Sequence, residues 1–145
     1  MLFFYISLQK DWKMSRIGIV GYGYWGKNLV RNFNGLDSCD LVYVCEKNAS
    51  LAEKCTKLYP NIKVVSDYDI LLNDDTVDAI VIATPVDTHY PLSKAALLAG
   101  KHVLVEKPLT SSLAEAEELL ELASSNNLLL MVDHTFLYTG AVQYM

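Results

Sequence analysis

Apolar residues along this chain follow two spacings that alternate. Short, mostly β-branched runs at 17–20, 41–45, 64–65, 79–83, 103–105 and 128–132 predict six strands. Between them, apolar residues three and four apart predict helices over 25–33, 50–59 and 89–99. A brief helical turn is expected over 68–72, and one more helix begins after Ser112. The expected inward faces are Leu29, Val30 and Phe33; then Leu51, Cys55 and Leu58; then Leu92, Ala95, Ala96 and Ala99. In the last helix they are Leu113, Ala116, Leu119, Leu120 and Ala123, behind a Ser112-Leu113-Ala114-Glu115 capping box. Gly100 reads as the residue that ends the third long helix. The run at 79–83 is apolar throughout, which suits a strand buried on both sheet faces. Strand and helix in strict alternation predict an α/β fold: a doubly wound parallel sheet with right-handed crossovers and helices on both faces.

The first strand runs straight into Gly21-Tyr22-Gly23-Tyr24-Trp25-Gly26, a G-x-G-x-x-G sequence that opens a helix. Gly21 permits a tight turn, Gly23 lets backbone approach a pyrophosphate, and Gly26 lets helix pack on strand. Free N–H groups and the helix dipole would then hold the anion. Glu46 stands 20 positions after Gly26, at the end of the second strand, where a carboxylate would accept from ribose hydroxyls. The plain alternative is a βα turn with a solvated glutamate. Together these features predict a Rossmann sheet in the order 3-2-1-4-5-6, with ligand outside the carboxyl ends of its strands.

Composition narrows the class. A chain of 145 residues, 52% hydrophobic and 20% charged, can bury the core of one domain. The net charge of −5 argues against a nucleic-acid partner. Cys39, Cys45 and Cys55 lack C-x-x-C spacing and read as buried or idle thiols in a reducing, cytoplasmic compartment. His89, His102 and His134 have no mutual ligand spacing, so no metal is expected. The apolar N-terminal stretch is too short to span a membrane. Residues 1–14 read as an upstream extension, with Met14 a candidate natural start; 15–135 read as the nucleotide-binding domain.

The remaining chemistry gathers at the predicted strand ends. Thr84-Pro85 and Thr88-His89 follow strand four, Glu106-Lys107-Pro108 follows strand five, and Asp133-His134-Thr135 follows strand six. With the glycine loop, and with Ala99-Gly100-Lys101-His102-Val103-Leu104-Val105 ahead of Glu106-Lys107-Pro108, the chain resembles the N-terminal domain of the glucose–fructose oxidoreductase/inositol dehydrogenase (Gfo/Idh/MocA) family. The resemblance runs from Ser15 to the C-terminus. The Tyr-Trp-Gly form of the loop is most similar to members acting on free or nucleotide-linked sugars, including the UDP-N-acetylglucosaminuronate 3-dehydrogenase branch.

That resemblance implies a dehydrogenase, with Lys107 orienting substrate and assisting proton transfer. In physical terms, an ammonium there would hydrogen-bond a substrate hydroxyl and steady its alkoxide character; partial burial would tune it. The plain alternative is a surface lysine before a rigid turn. Gly21, Gly23, Tyr24, Trp25, Gly26, Glu46, Thr84, Pro85, His89 and Glu106 are the candidate cofactor residues. For Thr84 and Pro85 a strand-to-helix turn, with Asp87 or Thr88 as cap, is an equal reading. For His89 a packing role is, and for Glu106 loop ordering. His134 is the candidate substrate-side residue, against a packed strand-end histidine. Family members often carry a basic residue just beyond, where this chain has Thr135-Phe136-Leu137-Tyr138.

Glu46 favours NAD over NADP: a 2′-phosphate about 4 Å away would meet a repulsion of roughly 1–4 kcal/mol. Lys47 beside it offsets part of that. The resemblance also implies a second α+β domain that completes the active site and mediates homo-oligomerisation. Residues 136–145 would begin the connection to it, and the 145-residue chain alone is expected to bind NAD without turnover. A non-catalytic nucleotide-sensing module and a methyltransferase are the competing classes; an intact Lys107 and the third glycine argue against them.

Overall fold

The β-branched runs form strands and the amphipathic runs form helices much as the periodicity requires. The computed structural model describes residues 14–134. In order these are β1 (Ser15–Val20), α1 (Tyr24–Asn34), β2 (Cys39–Cys45), α2 (Ala49–Leu58), β3 (Lys63–Val65), α3 (Asp69–Leu72) and β4 (Ala79–Ile82). A 3-10 turn (Val86–Thr88), α4 (His89–Leu98), β5 (His102–Glu106), α5 (Leu113–Ser125) and β6 (Leu130–Asp133) complete the chain. The expectations for the N-terminal extension up to residue 13, and for the connection over 136–145, fall outside the described residues.

The strands form one six-stranded parallel sheet in the order β3-β2-β1-β4-β5-β6. This is the doubly wound Rossmann arrangement expected from the alternation. Each face carries its own apolar core. One gathers Ile19, Val30, Val44 and Cys55 beneath α1 and α2; the other gathers Leu71, Ile80, Ile82, Leu97 and Leu119 on the opposite face. β1 and β4 are adjacent at the centre and buried on both sides, so their carboxyl ends open a crevice between the two helical layers.

Helix ends follow local chemistry. Asn48 caps α2 by accepting from Leu51 N at 3.1 Å, and Ser112 caps α5 by accepting from Glu115 N at 3.3 Å. At the end of α4, Gly100 N donates to Leu97 O and Lys101 N to Ala96 O, a Schellman closure. α5 ends the same way, Asn127 N to Ser124 O and Leu128 N to Ala123 O, with Asn127 at φ 55°.

Three expected faces shift. On α4 the buried residues are His89, Ser93, Ala96 and Leu97, and Ala99 is exposed. The stripe is rotated by one position, because His89 and Ser93 bury polar groups where periodicity counts only apolar ones. On α5, Leu119 and Ala123 are buried with Leu122 against the core, whereas Leu113 and Leu120 face outward. On α2, Leu58 is exposed and Tyr59 packs inward instead. Among the described residues no helix is long and apolar enough to cross a membrane. Cys39, Cys45 and Cys55 are free thiols, Cys45 and Cys55 buried.

Candidate functional site

The crevice at the centre of the sheet is about 420 Å³, within the range of small-molecule sites. Its floor is the turn out of β1. Gly21 has φ +95°, and a Cβ there would stand 2.5 Å from the Ala83 carbonyl oxygen at the end of β4. Only glycine fits both the conformation and the space. Gly21 N also donates to Cys45 O at 2.8 Å, tying the turn to β2. A Cβ on Gly26 would collide with the Gly21 carbonyl, so α1 packs directly on the turn. At Gly23 a Cβ would meet nothing within 4 Å: this residue faces the open crevice. Gly23 is also the N-cap of α1 and has no side chain to cap with. The first N–H groups of α1, from Tyr24 to Gly26, have no intrahelical acceptor and follow directly on Gly23, which lines the crevice.

Glu46 closes one side. Its Oε2 accepts from Tyr22 N at 2.7 Å and its Oε1 from Asn48 N at 2.7 Å. The carboxylate thus links the glycine turn to the start of α2, and each oxygen retains a second lone pair for a ligand. Tyr22, the unspecified residue between the first two glycines, is buried at 2% exposure and anchors the turn from below. Burial, with Cys55 and Tyr59 beside it, pushes its phenol up to about 12. The motif carries no signal for this residue, because its middle position admits any type. Lys47, noted beside Glu46, lines the crevice too, as do Tyr68 and Leu92, which the sequence did not mark as site residues. Tyr68 Oη donates to Leu92 O at 3.0 Å, and burial raises its pKa.

The opposite wall is Thr84 and Pro85. Thr88 Oγ1 donates to Pro85 O at 2.6 Å and lies 2.6 Å from Thr84 Oγ1. Thr88 therefore turns back into this loop and does not cap α4 with its side chain, and the helix is entered through a 3-10 turn. His89 is 1% exposed. Its Nε2 faces Thr84 O and its Nδ1 faces Pro108 O, both at 2.8 Å. It lies behind the loop and outside the crevice lining.

Gly21, Gly23, Glu46, Thr84 and Pro85 therefore share one crevice, and the other candidates stand elsewhere. Tyr24 is 81% exposed, and its ring meets Trp25 edge-on at 5.5 Å. The Trp25 side chain lies in a second depression of about 310 Å³ between α1 and the β5–β6 edge, beside Leu29, Phe33, Leu104 and Met131. Neither Tyr24 nor Trp25 is among the residues that line the crevice. Glu106 is buried at the end of β5, opposite Asp133 on β6. Burial chiefly, and then Asp133, raises its carboxyl pKa, opposed by the Lys107 N–H and by the charges of Lys107 and His89. Lys107 precedes a cis peptide bond to Pro108 and is exposed. The partial burial expected of it is not supplied by the described residues. His134, just past β6, is exposed as well. No group of three or more metal-ligating side chains occurs among the described residues.

The family model described as "Oxidoreductase family, NAD-binding Rossmann fold" (GFO_IDH_MocA) matches residues 15–134. The chain belongs to this family. It is 42% identical to the oxidoreductase YdgJ of Escherichia coli over 120 residues, which cover 82% of this chain and 34% of YdgJ. It is 33% identical to the scyllo-inositol 2-dehydrogenase (NADP(+)) IolW of Bacillus subtilis, over 82% of this chain and 33% of IolW. Among solved structures, the YPO2259 oxidoreductase of Yersinia pestis is 40% identical with a TM-score of 0.82, over 89% of this chain and 36% of that one. GenD2 from gentamicin A biosynthesis, solved with NAD, is 27% identical with a TM-score of 0.83, over 93% and 39% of the two chains. The chain thus spans about a third of the length of the relatives it matches. As a member of this family it is an NAD(P)-binding oxidoreductase domain; both coenzymes occur among the proteins it resembles.

Proposed function

We propose that this chain is the coenzyme-binding part of a dehydrogenase that transfers hydride between a sugar or nucleotide-sugar hydroxyl and a nicotinamide, with NAD preferred over NADP. The observation that carries the reading is a crevice with a Cβ-free turn at its floor, an uncapped helix start at its mouth and a carboxylate at its side. These features suit a dinucleotide. Gly21 and Gly23 leave room for the pyrophosphate, the first N–H groups of α1 face it, and Glu46 accepts from the adenosine ribose hydroxyls. Thr84 and Pro85 form the second wall. When bound, the nicotinamide supplies the hydride acceptor or donor. Lys107 hydrogen-bonds the reacting hydroxyl and steadies its negative charge as the proton leaves. Glu106 orders the turn that carries Lys107, and His134 faces the substrate side.

A sugar-like substrate draws support from the polyol named for IolW and from the Tyr-Trp-Gly loop. Three free thiols fit a reducing, cytoplasmic setting. Because Lys107 is open to solvent, we propose that the 145-residue polypeptide binds coenzyme but does not turn over alone, and that the parent enzyme is a homo-oligomer. Calorimetry on the purified chain tests the core of this. Heat with NAD+ or NADH, stronger than with NADP+, is expected; no heat with any of them overturns the reading. Glu46→Ser should lower the NAD-to-NADP affinity ratio by at least about fivefold. An unchanged ratio removes Glu46 from coenzyme selection, and steady turnover by the isolated chain overturns its predicted inactivity.

A further inference from the structure

The ladder between β4 and β5 stops at Ile82 and Val105. Beyond it the chain on one side forms the crevice wall at Thr84–Pro85, and on the other it forms the turn that presents Lys107. No ladder bond joins them there. His89 does. From the first residue of α4 its ring reaches Thr84 O with Nε2 and Pro108 O with Nδ1, each at 2.8 Å, and it is 1% exposed. Neither acceptor belongs to α4. A buried ring placed merely to fill space has no need of two carbonyls from two separate loops, and a phenyl group would fill the same volume.

We propose that His89 is a positioning residue: it clamps the Thr84–Pro85 wall to the Lys107–Pro108 turn, and so fixes the lysine relative to the coenzyme crevice. This rests on the nucleotide reading above and adds to it. The physical basis is accounting of buried acceptors. Both contacts are hydrogen bonds when each ring nitrogen carries a proton, since each partner is a carbonyl that can only accept; remove that ring and two carbonyls lose their partner behind loops that no strand pairing holds. Each loop then relaxes separately, because each was held by a different nitrogen. The two arms can therefore be cut one at a time. The amide nitrogen of Asn falls where Nδ1 lies, and that of Gln falls where Nε2 lies. His89→Asn keeps the Pro108 arm and His89→Gln keeps the Thr84 arm.

The experiment compares the wild-type chain with H89N, H89Q and H89F. It measures NADH affinity by calorimetry and amide exchange at Lys107, Leu109 and Thr110 by mass spectrometry. H89Q should bind NADH within roughly twofold of wild type but exchange about tenfold faster across the Lys107 turn. H89N should do the reverse, with that turn protected and NADH affinity down by about fivefold. H89F should lose on both counts. If H89N and H89Q move both readouts together, or neither, the ring only fills the core and the proposal is overturned. If wild type itself gives no heat with NADH, the nucleotide reading fails. Exchange across residues 84–88 then replaces affinity as the Thr84-arm readout, and the same crossed pattern still supports the clamp while its absence removes it.

Discussion

Asp74 shows how much one side chain can hold at the amino end of the sheet. Its carboxylate accepts from Thr76 Oγ1 at 2.6 Å, from Thr76 N at 2.8 Å and from Tyr43 Oη at 2.9 Å. Those bonds, led by Thr76, hold its pKa at about 2. Because the folded value lies below the usual carboxylate value of about 3.9, its contribution is complete above pH 4 and is lost as pH falls toward 2. Asp74→Asn should therefore cost on the order of 1 kcal/mol or less at pH 7, given its solvent access. It should also flatten the stability profile between pH 4 and 2, as urea titrations at a series of pH values would record. Glu106 has the opposite sign. Burial raises its folded pKa, so its ionisation destabilises the fold as pH rises above the ordinary carboxylate range. Glu106→Gln should raise the melting temperature at pH 7 and leave it unchanged well below pH 4. The residues most legible in the sequence are those whose place is set by the course of the backbone. Gly21, Gly26 and Glu46 are fixed by where the turn runs. Trp25 and His89 were not legible in this way, because the direction of a side chain in the first turn of a helix depends on what the helix docks against.

Among elements, the strands were read most accurately. Their apolar runs are short, bounded and paired on both sides. Helix faces were read less well, since Leu and Ala recur too often along α4 and α5 to single out one stripe. The structure singles it out for α5: Leu119 is fully buried and Leu120 is 56% exposed. Leu119→Ala should cost about 2–5 kcal/mol, whereas Leu120→Ala should stay within about 0.5 kcal/mol in the same denaturation assay. Equal losses would contradict the packing described for α5. The helix ends carry a second test. Asn127 holds a left-handed conformation that closes α5, a geometry asparagine tolerates better than residues with a plain Cβ. Asn127→Ala should destabilise by about 1 kcal/mol. The sequence shows glycine at the matching place after α4, and an asparagine doing the same task is easily passed over.

For the molecule as a whole, strand order followed from the alternation and handedness together with the glycine loop, which marks the Rossmann order among the doubly wound ones. The function class followed from where those strands end. What the pattern could not supply was the linkage between the ends. The Tyr22 and Asn48 amides meet on Glu46, and the Thr84 and Pro108 carbonyls meet on His89. These contacts join residues 2 to 24 positions apart, and no periodicity encodes them. The first of them constrains how such a protein can diversify. A mutation that trades Glu46 for a residue welcoming an extra phosphate also releases two main-chain amides that hold the crevice floor in shape. On the role proposed for Glu46, a single substitution there would shift coenzyme choice at the expense of the turn, and a stable switch would also need a replacement acceptor for the Tyr22 and Asn48 amides in the same lineage.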